Sequence, residues 1–475
     1  MTKKMEQTRR DFLVRTGCAA LGAAAFSAGF EKFGLISARA MTAAPTDYRA
    51  LVCIFLSGGN DSNNMVVPLD TTGYNSYSAA RSASGLALAQ GQLLSITPSS
   101  IGTPFGLHPA MPELQTLWSQ QKVAVVSNVG PLVQPLTRTQ YQSGAARPYQ
   151  LFSHSDQVAQ WQTSRADVRT QLGWGGRTAD QTLSFNAGKT FPLVTSVSGA
   201  AVFGQGLATR PLSIAAAPTA LNQVLVLNGF TTSTTDVARR NSMDFLRTID
   251  RSATLVAAAS DATQAAADII ASLGGTDPTL TTIFPNTGLA NQLKQVAKVI
   301  KLNQTAPALG LNRQIFFCTL GGFDTHQNQI SSQQALLAQL SAAMKAFYDA
   351  TVELAVDSRV TTFTLSDFAR TLQPSGSGVG TVGSDHGWGS HQFVLGGAVV
   401  GGDFYGVPGP GGTVFPDLTL AGPNDTDNRG RWIPTSSVDQ YAATLATWFG
   451  LPGGDLPAVF PLLSRFSTPN LGFLV

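Results

Sequence analysis

The chain has 475 residues, 43% of them hydrophobic and only 12% charged, with a formal net charge of +3. Removing the seven Lys and Arg and the three Asp and Glu of residues 1–40 leaves 24 basic against 25 acidic residues, so the basic balance belongs to the N-terminus. A near-neutral remainder without a basic patch excludes an electrostatic nucleic-acid binder, and three cysteines exclude a disulfide scaffold.

Thr8-Arg9-Arg10-Asp11-Phe12-Leu13 has the twin-arginine form, and an apolar run from Cys18 to Phe30 follows. That run is too short to span a bilayer, and Ala38-Arg39-Ala40 offers a small-x-small cleavage site. Residues 1–40 are therefore expected to be an export signal read by the twin-arginine translocase. The mature chain, 41–475, is expected in the periplasm or outside the cell, without a membrane span. A lipid anchor on Cys18 is not expected, because Arg15 stands where an aliphatic residue is needed.

Ala50–Leu56 is a continuous apolar run ending in Ser57-Gly58-Gly59, which predicts a central strand buried on both faces of a parallel sheet. Further strands are predicted over Lys122–Asn128, Gln314–Leu320 and Val360–Leu365, with a fifth over Phe393–Val400. Helical patterns cover Pro109–Gln120 and Gln334–Leu354, so strand, helix and strand alternate as in a βαβ unit. The stretch from about 180 to 300 is Thr/Ser-rich, then holds Ala-rich helices over Thr235–Leu273 and Gly288–Leu302. It reads as a helical cap inserted on the sheet. The expected fold is α/β: a three-layer α/β/α sandwich with a mostly parallel sheet and a helical cap. Cys53 and Cys318 fall in two of the strands, as one disulfide or as two small buried core residues.

Ligands bind open α/β sheets at the carboxyl ends of the strands. Asp61, in Gly59-Asn60-Asp61-Ser62, follows the first strand. Asp324 and His326, in Gly322-Phe323-Asp324-Thr325-His326, follow the third. Asp367 follows the fourth, and Asp385, His386 and His391 lie on the next loop. The chain has five histidines in all, so this collection beside carboxylates points to a metal site.

Strand-GGNDSNN, GGFDTHQ, SDFART, SDHGWGSH and GRWIPTSSVDQYAATLATWFG together resemble the secreted bacterial family called domain of unknown function 1501. That resemblance spans nearly the whole mature chain. It implies a more distant likeness to the alkaline-phosphatase-like superfamily, which includes sulfatases. The likeness implies metal ligands at Asp61, Asp324, His326, Asp367, His386 and His391. It departs at Phe368, where a histidine is expected. Asp367 and Asp385 then compete for one role, and the number of metals, two, one or none, stays open.

The likeness also implies a nucleophile at a helix N-terminus, where Ser153 stands in Leu151-Phe152-Ser153-His154; the other role for that serine is a helix cap. Ser62 is the alternative nucleophile, and His154 is a ligand or an acid/base group. Arg370 and Arg177 are candidate anion-binding residues, with ordinary structural bonding as the other reading. His108 either faces the site or is a cap or core histidine. There is no Cys-x-Pro-x-Arg sulfatase signature, and the Gly376–Gly389 loop lacks nucleotide-binding spacing.

Two functions follow as expectations. The first is an exported hydrolase of phosphate or sulfate esters, dependent on divalent zinc, manganese or calcium and acting on a small anionic ester or a polysaccharide. The second is a non-catalytic secreted protein that binds a polysaccharide or a partner protein.

Overall fold

The computed structural model describes residues 47–475 apart from 225–232, 250, 276, 307–308, 377 and 380. The expected signal and its cleavage site lie outside the described residues.

β1 (Arg49–Ser57) is buried along seven of its nine residues. Its side chains alternate, as a pleated strand requires. Ala50, Val52, Ile54 and Leu56 enter one apolar core, and Leu51, Cys53 and Phe55 enter another on the opposite face. Each large apolar side chain so buried contributes roughly 1.5–3 kcal/mol. The remaining strands of the main sheet are β2 (Val123–Gly130), β3 (Val194–Ser196), β4 (Leu212–Ser213), β5 (Arg313–Gly321), β6 (Val360–Ser366), β9 (Ser390–Leu395), β10 (Phe404–Tyr405) and β11 (Ser436–Ser437). Two others, β7 (Arg370–Ser375) and β8 (Gly383–His386), form a separate antiparallel hairpin. The sheet order is β10-β2-β9-β6-β1-β5-β3-β4, with β11 also on β2. All pairings are parallel except the two made by β9.

Helices cover both faces. α7 (Gly288–Thr305) and α8 (Gln329–Glu353) pack in the first core, through Leu293, Val296, Leu340 and Phe347. α3 (His154–Thr163), α4 (Trp174–Thr182) and α9 (Val438–Phe449) pack in the second, through Trp161, Trp174 and Tyr441. The α/β/α sandwich with its mostly parallel sheet is therefore present.

The expected cap is corrected. β3 and β4 lie in the main sheet, and α7 belongs to its helical layer, so residues 180–300 are not one insertion. Only α5 (Thr234–Leu246) and α6 (Thr254–Leu273) stand off. The helical stretch expected over 235–273 is made of these two helices, parted where Thr248 turns its hydroxyl onto the Phe245 carbonyl. Such self-bonding competes with helix continuation. Cys53 and Cys318 are both free and buried, in cores on opposite sheet faces, so no disulfide joins them.

β1 is central because β5 and β6 both pair with it, in a register that ends the three strands level: Ser57 lies opposite Gly321 and Leu56 opposite Ser366. Their carboxyl ends thus open on one edge. Gly58 lets the loops close there. Its φ is +113°, and a Cβ would stand 2.4 Å from the Asp324 nitrogen.

Candidate metal centre

Four side chains converge at that edge: His154, Asp324, His326 and His386. Among the described residues they are the one group of three or more potential ligands with donor atoms within 4.8 Å of one another. Asp324 and His326 follow β5, His386 ends β8, and His154 opens α3. His386 Nε2 is 3.1 Å from both His154 Nε2 and His326 Nε2. Asp324 Oδ1 is 3.0 Å from His326 Nε2, 3.4 Å from His154 Nε2 and 4.0 Å from His386 Nε2. With metal–nitrogen and metal–oxygen bonds of about 2.0–2.1 Å, the edge of a tetrahedral site is about 3.4 Å. The separations found here bracket that value.

The outward-facing nitrogens explain the convergence. His154 Nδ1 donates to Asp367 Oδ2 at 2.7 Å, and His386 Nδ1 donates to the Phe152 carbonyl at 2.6 Å. A carboxylate and a carbonyl only accept, so both Nδ1 atoms carry the proton. His326 Nδ1 faces Asp385 Oδ1 at 3.5 Å. The Nε2 atoms of His154 and His386 therefore point inward beside Asp324, 3.1 Å apart, where a metal ion or a proton shared between the rings would relieve their repulsion. A ligand histidine anchored through its other nitrogen is the usual outer-shell design of metal sites. Asp367 accordingly holds His154 instead of binding in the cluster itself, and Gly58 N donates to its other oxygen at 3.0 Å.

Phe368, fully buried, walls the cluster. Its ring lies 4.7 Å from that of His386 and 4.7 Å from that of His154. Phe152 takes the left-handed φ of 69°, a strained conformation for a bulky residue. Its carbonyl meets His386, and Arg431 stacks over its ring at 4.7 Å while donating to the His386 carbonyl.

Hydrogen bonding to Asp367 raises the His154 pKa against the opposing effect of burial. Burial lowers that of His386. For Asp324 burial acts upward, but the Arg370 hydrogen bond and charge, with His154 and His326, leave the carboxyl below its ordinary value. The site is open: the Asp324 side chain is 52% exposed and that of His326 43%.

Arg370 is not a free anion clamp. Nε donates to Gly59 O, one terminal nitrogen to Ser384 O and toward His326 Nε2, and the other to Gly58 O, Phe323 O and Asp324 Oδ1. Its five N–H groups face six acceptors, so it ties the three loops together and holds Asp324. Asp385 pairs with Arg429 at 2.7 Å and backs His326.

Other candidates lie apart from the cluster. Asp61 is buried and engaged by Arg81 at 2.5 and 3.1 Å, by Gln329 and by Asn63. With its oxygens so occupied it is a structural anchor. His391 is buried, stacked on Phe415 at 4.5 Å, and accepts from Asn128 N. His108 is buried and accepts from Ala110 N. Arg177 donates to three backbone carbonyls, those of Thr163, Leu172 and Val459. The Ser153 hydroxyl donates to Asp156 at 2.8 Å and lies 3.2 Å from that of Ser155. Ser153 occupies the N-cap position of α3 but makes no side-chain capping bond. Ser62 is fully buried.

Burial holds the His391 pKa down to about 3, from 6.5. A group neutral in the fold and protonated in the unfolded chain favours unfolding as pH falls. Stability from this residue is full above pH 6.5 and declines as pH drops toward 3. His391→Gln is expected to flatten the chain's loss of stability between pH 6.5 and 4, measured by denaturant titration, and to leave its metal content unchanged.

Three nitrogens and one carboxylate suit zinc, manganese or iron. They are a poor cage for calcium, which takes six to eight oxygens, so the donor set argues against that ion.

Fold and site define an α/β/α protein with a candidate three-histidine, one-aspartate centre at its strand ends. The chain belongs to the family described as "Protein of unknown function (DUF1501)", whose model matches residues 48–413. No curated protein matches the sequence. Similar solved structures include Ps i-CgsB in complex with k-i-k-neocarrahexaose, with a TM-score of 0.35, 7% identity, and 89% of this chain and 77% of that chain covered. The C-terminal periplasmic domain of EcEptC from Escherichia coli, in complex with Zn, gives 0.28, 10%, 74% and 74%. The PsFucS1 sulfatase from Pseudoalteromonas sp. gives 0.28, 8%, 79% and 67%. At such TM-scores nothing about activity passes from them to this chain. Among the described residues no helix is long and apolar enough to cross a membrane.

Proposed function

We propose that this chain is an exported, metal-dependent hydrolase of phosphate or sulfate esters, with one divalent cation held by His154, Asp324, His326 and His386. The observation that carries the reading is the convergence of the Nε2 atoms on Asp324 Oδ1 while Asp367 and the Phe152 carbonyl take the outward Nδ1 protons. An ion held there that accepts a fifth ligand beside the four side chains would supply Lewis acidity toward an ester oxygen and lower the pKa of a bound water. The chain's own residues hold the geometry. Asp367 and the Phe152 carbonyl fix two rings, Phe368 walls them off, and Arg370 anchors Asp324. The half-exposed Asp324 and His326 leave the open side for substrate.

The Ser153 hydroxyl is donated to Asp156, which favours water over serine as the attacking group in this arrangement. The same observation is what favours the second reading, a secreted polysaccharide- or protein-binding chain that keeps the centre without turnover. The test is hydrolysis of a panel of aryl and sugar phosphates and sulfates by signal-cleaved protein reloaded with zinc, manganese or iron. Turnover with one ion, reduced at least about a hundredfold in Asp324→Ala, is expected from a lost metal-assisted step. Stoichiometric metal without turnover on any ester would move the account to the binding reading.

A further inference from the structure

Arg370, Arg429 and Arg431 all border the centre, and they differ in how many donors the fold leaves free. Arg370 is fully buried and committed to six acceptors. Arg431 gives Nε to the His386 carbonyl and Nη1 to Asp427 Oδ2, and stands over the Phe152 ring. Arg429 engages only Nη2, with Asp385 Oδ2 at 2.7 Å and the Pro374 carbonyl at 3.4 Å. Its Nε and Nη1 meet no acceptor among the described residues, and its side chain is 31% exposed.

The backbone beneath Arg429 is fixed. Asp425 is fully buried and accepts from the backbone N–H groups of Ala421, Asp427, Gly430 and Arg431. Arg429 N donates to Asp427 Oδ1, and the Arg429 carbonyl accepts from Gln373 N on β7. Gly430 takes a φ of +71°, and a Cβ there would stand 2.3 Å from Leu372 Cβ, so the loop lies directly on the hairpin. With Asp385 holding Nη2 as well, the guanidinium is positioned in advance, which lowers the ordering cost of binding.

Position decides which part of a substrate it meets. His326 turns Nε2 to the centre and Nδ1 toward Asp385 Oδ1 at 3.5 Å, and Arg429 holds the other oxygen of that carboxylate. The His326 ring and Asp385 thus separate Arg429 from the converging donors. Arg429 stands outside the centre, beside one of its two most exposed ligands, and is placed for a group beyond the ester oxygen that faces the ion.

We propose, resting on the hydrolase reading above, that Arg429 selects esters carrying a second acid group on the part of the molecule that is not cleaved. That group is a phosphate, sulfate or carboxylate. A guanidinium is always charged and donates through every nitrogen. Asp385 answers one nitrogen and leaves two without a protein acceptor, and hydrogen bonds from such a cation to an anion are roughly twice as strong as neutral ones. Arg370 and Arg431 have given their nitrogens at the centre largely to the fold, which leaves the task to Arg429.

The test is calorimetric titration of the signal-cleaved, zinc-loaded chain with phenylphosphonate and with 3- and 4-phosphonobenzoate. These are not hydrolysed, and they differ only in the second acid group. The wild type is expected to bind one of the phosphonobenzoates at least about tenfold more tightly than phenylphosphonate, the scale of one hydrogen bond between charged partners. Arg429→Gln is expected to bring that ratio near one while keeping its zinc, and Arg429→Lys, which retains the charge, to recover part of it. Equal affinities in the wild type overturn the proposal. So does a ratio that survives Arg429→Gln while both affinities fall alike, which assigns the residue to neutralising Asp385. A zinc-loaded wild type that binds none of the three overturns the ester reading itself, and the selection with it.

Discussion

Replacing His154 by alanine is expected to remove bound metal from the folded protein. His154 supplies one of four converging donors, and its Nε2 lies within 3.1 Å of His386 Nε2 and 3.4 Å of Asp324 Oδ1. Loss of a ligand should exceed the loss of an outer-shell partner, which costs roughly 10–100-fold in metal affinity. Asp367→Asn supplies that comparison. It keeps the shape of the side chain but removes the charge that sets the His154 tautomer, and a drop of about 10–100-fold is expected. Competition titrations with a chromophoric chelator measure both. His154→Ala protein that is folded and still binds one ion with wild-type affinity would remove His154 from the centre.

Asp61→Ala is expected to do the opposite: a large loss of stability with metal retained. Arg81 is fully buried, and Asp61 is its only carboxylate partner among its hydrogen bonds; the others are the Leu372 and Thr371 carbonyls and Asn64 Oδ1. Removing one member of a buried pair leaves an uncompensated charge and costs about 3–5 kcal/mol. Asp61 also accepts from Gln329, whose own oxygen receives the Ser384 hydroxyl, so the damage reaches the β7–β8 hairpin. Arg81→Met in the Asp61→Ala background should recover part of the loss, because it removes the orphaned cation. Denaturant unfolding reads the stability, and elemental analysis of the folded fraction reads the metal. A stable, metal-free Asp61→Ala protein would make Asp61 a ligand after all.

The sheet was legible because its strands are buried on both faces. Ala50–Leu56, Gln314–Leu320 and Val360–Leu365 are continuous apolar runs, and each lies within a central parallel strand. The run at Phe393 is equally apolar, but its direction is set by β2 and β6, and it proved antiparallel and centred earlier, over Ser390–Leu395. The short strands β3 and β4 carry two or three residues each, too few for a period to register, which is why their stretch read as an insertion.

Strand-end placement also brought Asp324, His326 and His386 into view together. What spacing could not give is which way a side chain turns. Asp61 and His391 stand at the right ends of the right strands, yet Arg81 and the Phe415 ring claim them. Arg81 lies on a helix of mixed polar sequence, α1 (Thr71–Arg81), where an arginine reads as solvent-facing. Asp367 and His154 are 213 residues apart, so their pairing has no local signal. Phe368, a gap in the superfamily pattern, is a wall in the fold.

The most direct measurement is an anomalous difference map from a crystal of the signal-cleaved chain grown with zinc or manganese. The account predicts one peak per chain, about 2.0–2.2 Å from His154 Nε2, His326 Nε2, His386 Nε2 and an Asp324 oxygen. A peak on Asp61 or His391, two peaks sharing these residues, or no peak at the cluster would contradict it.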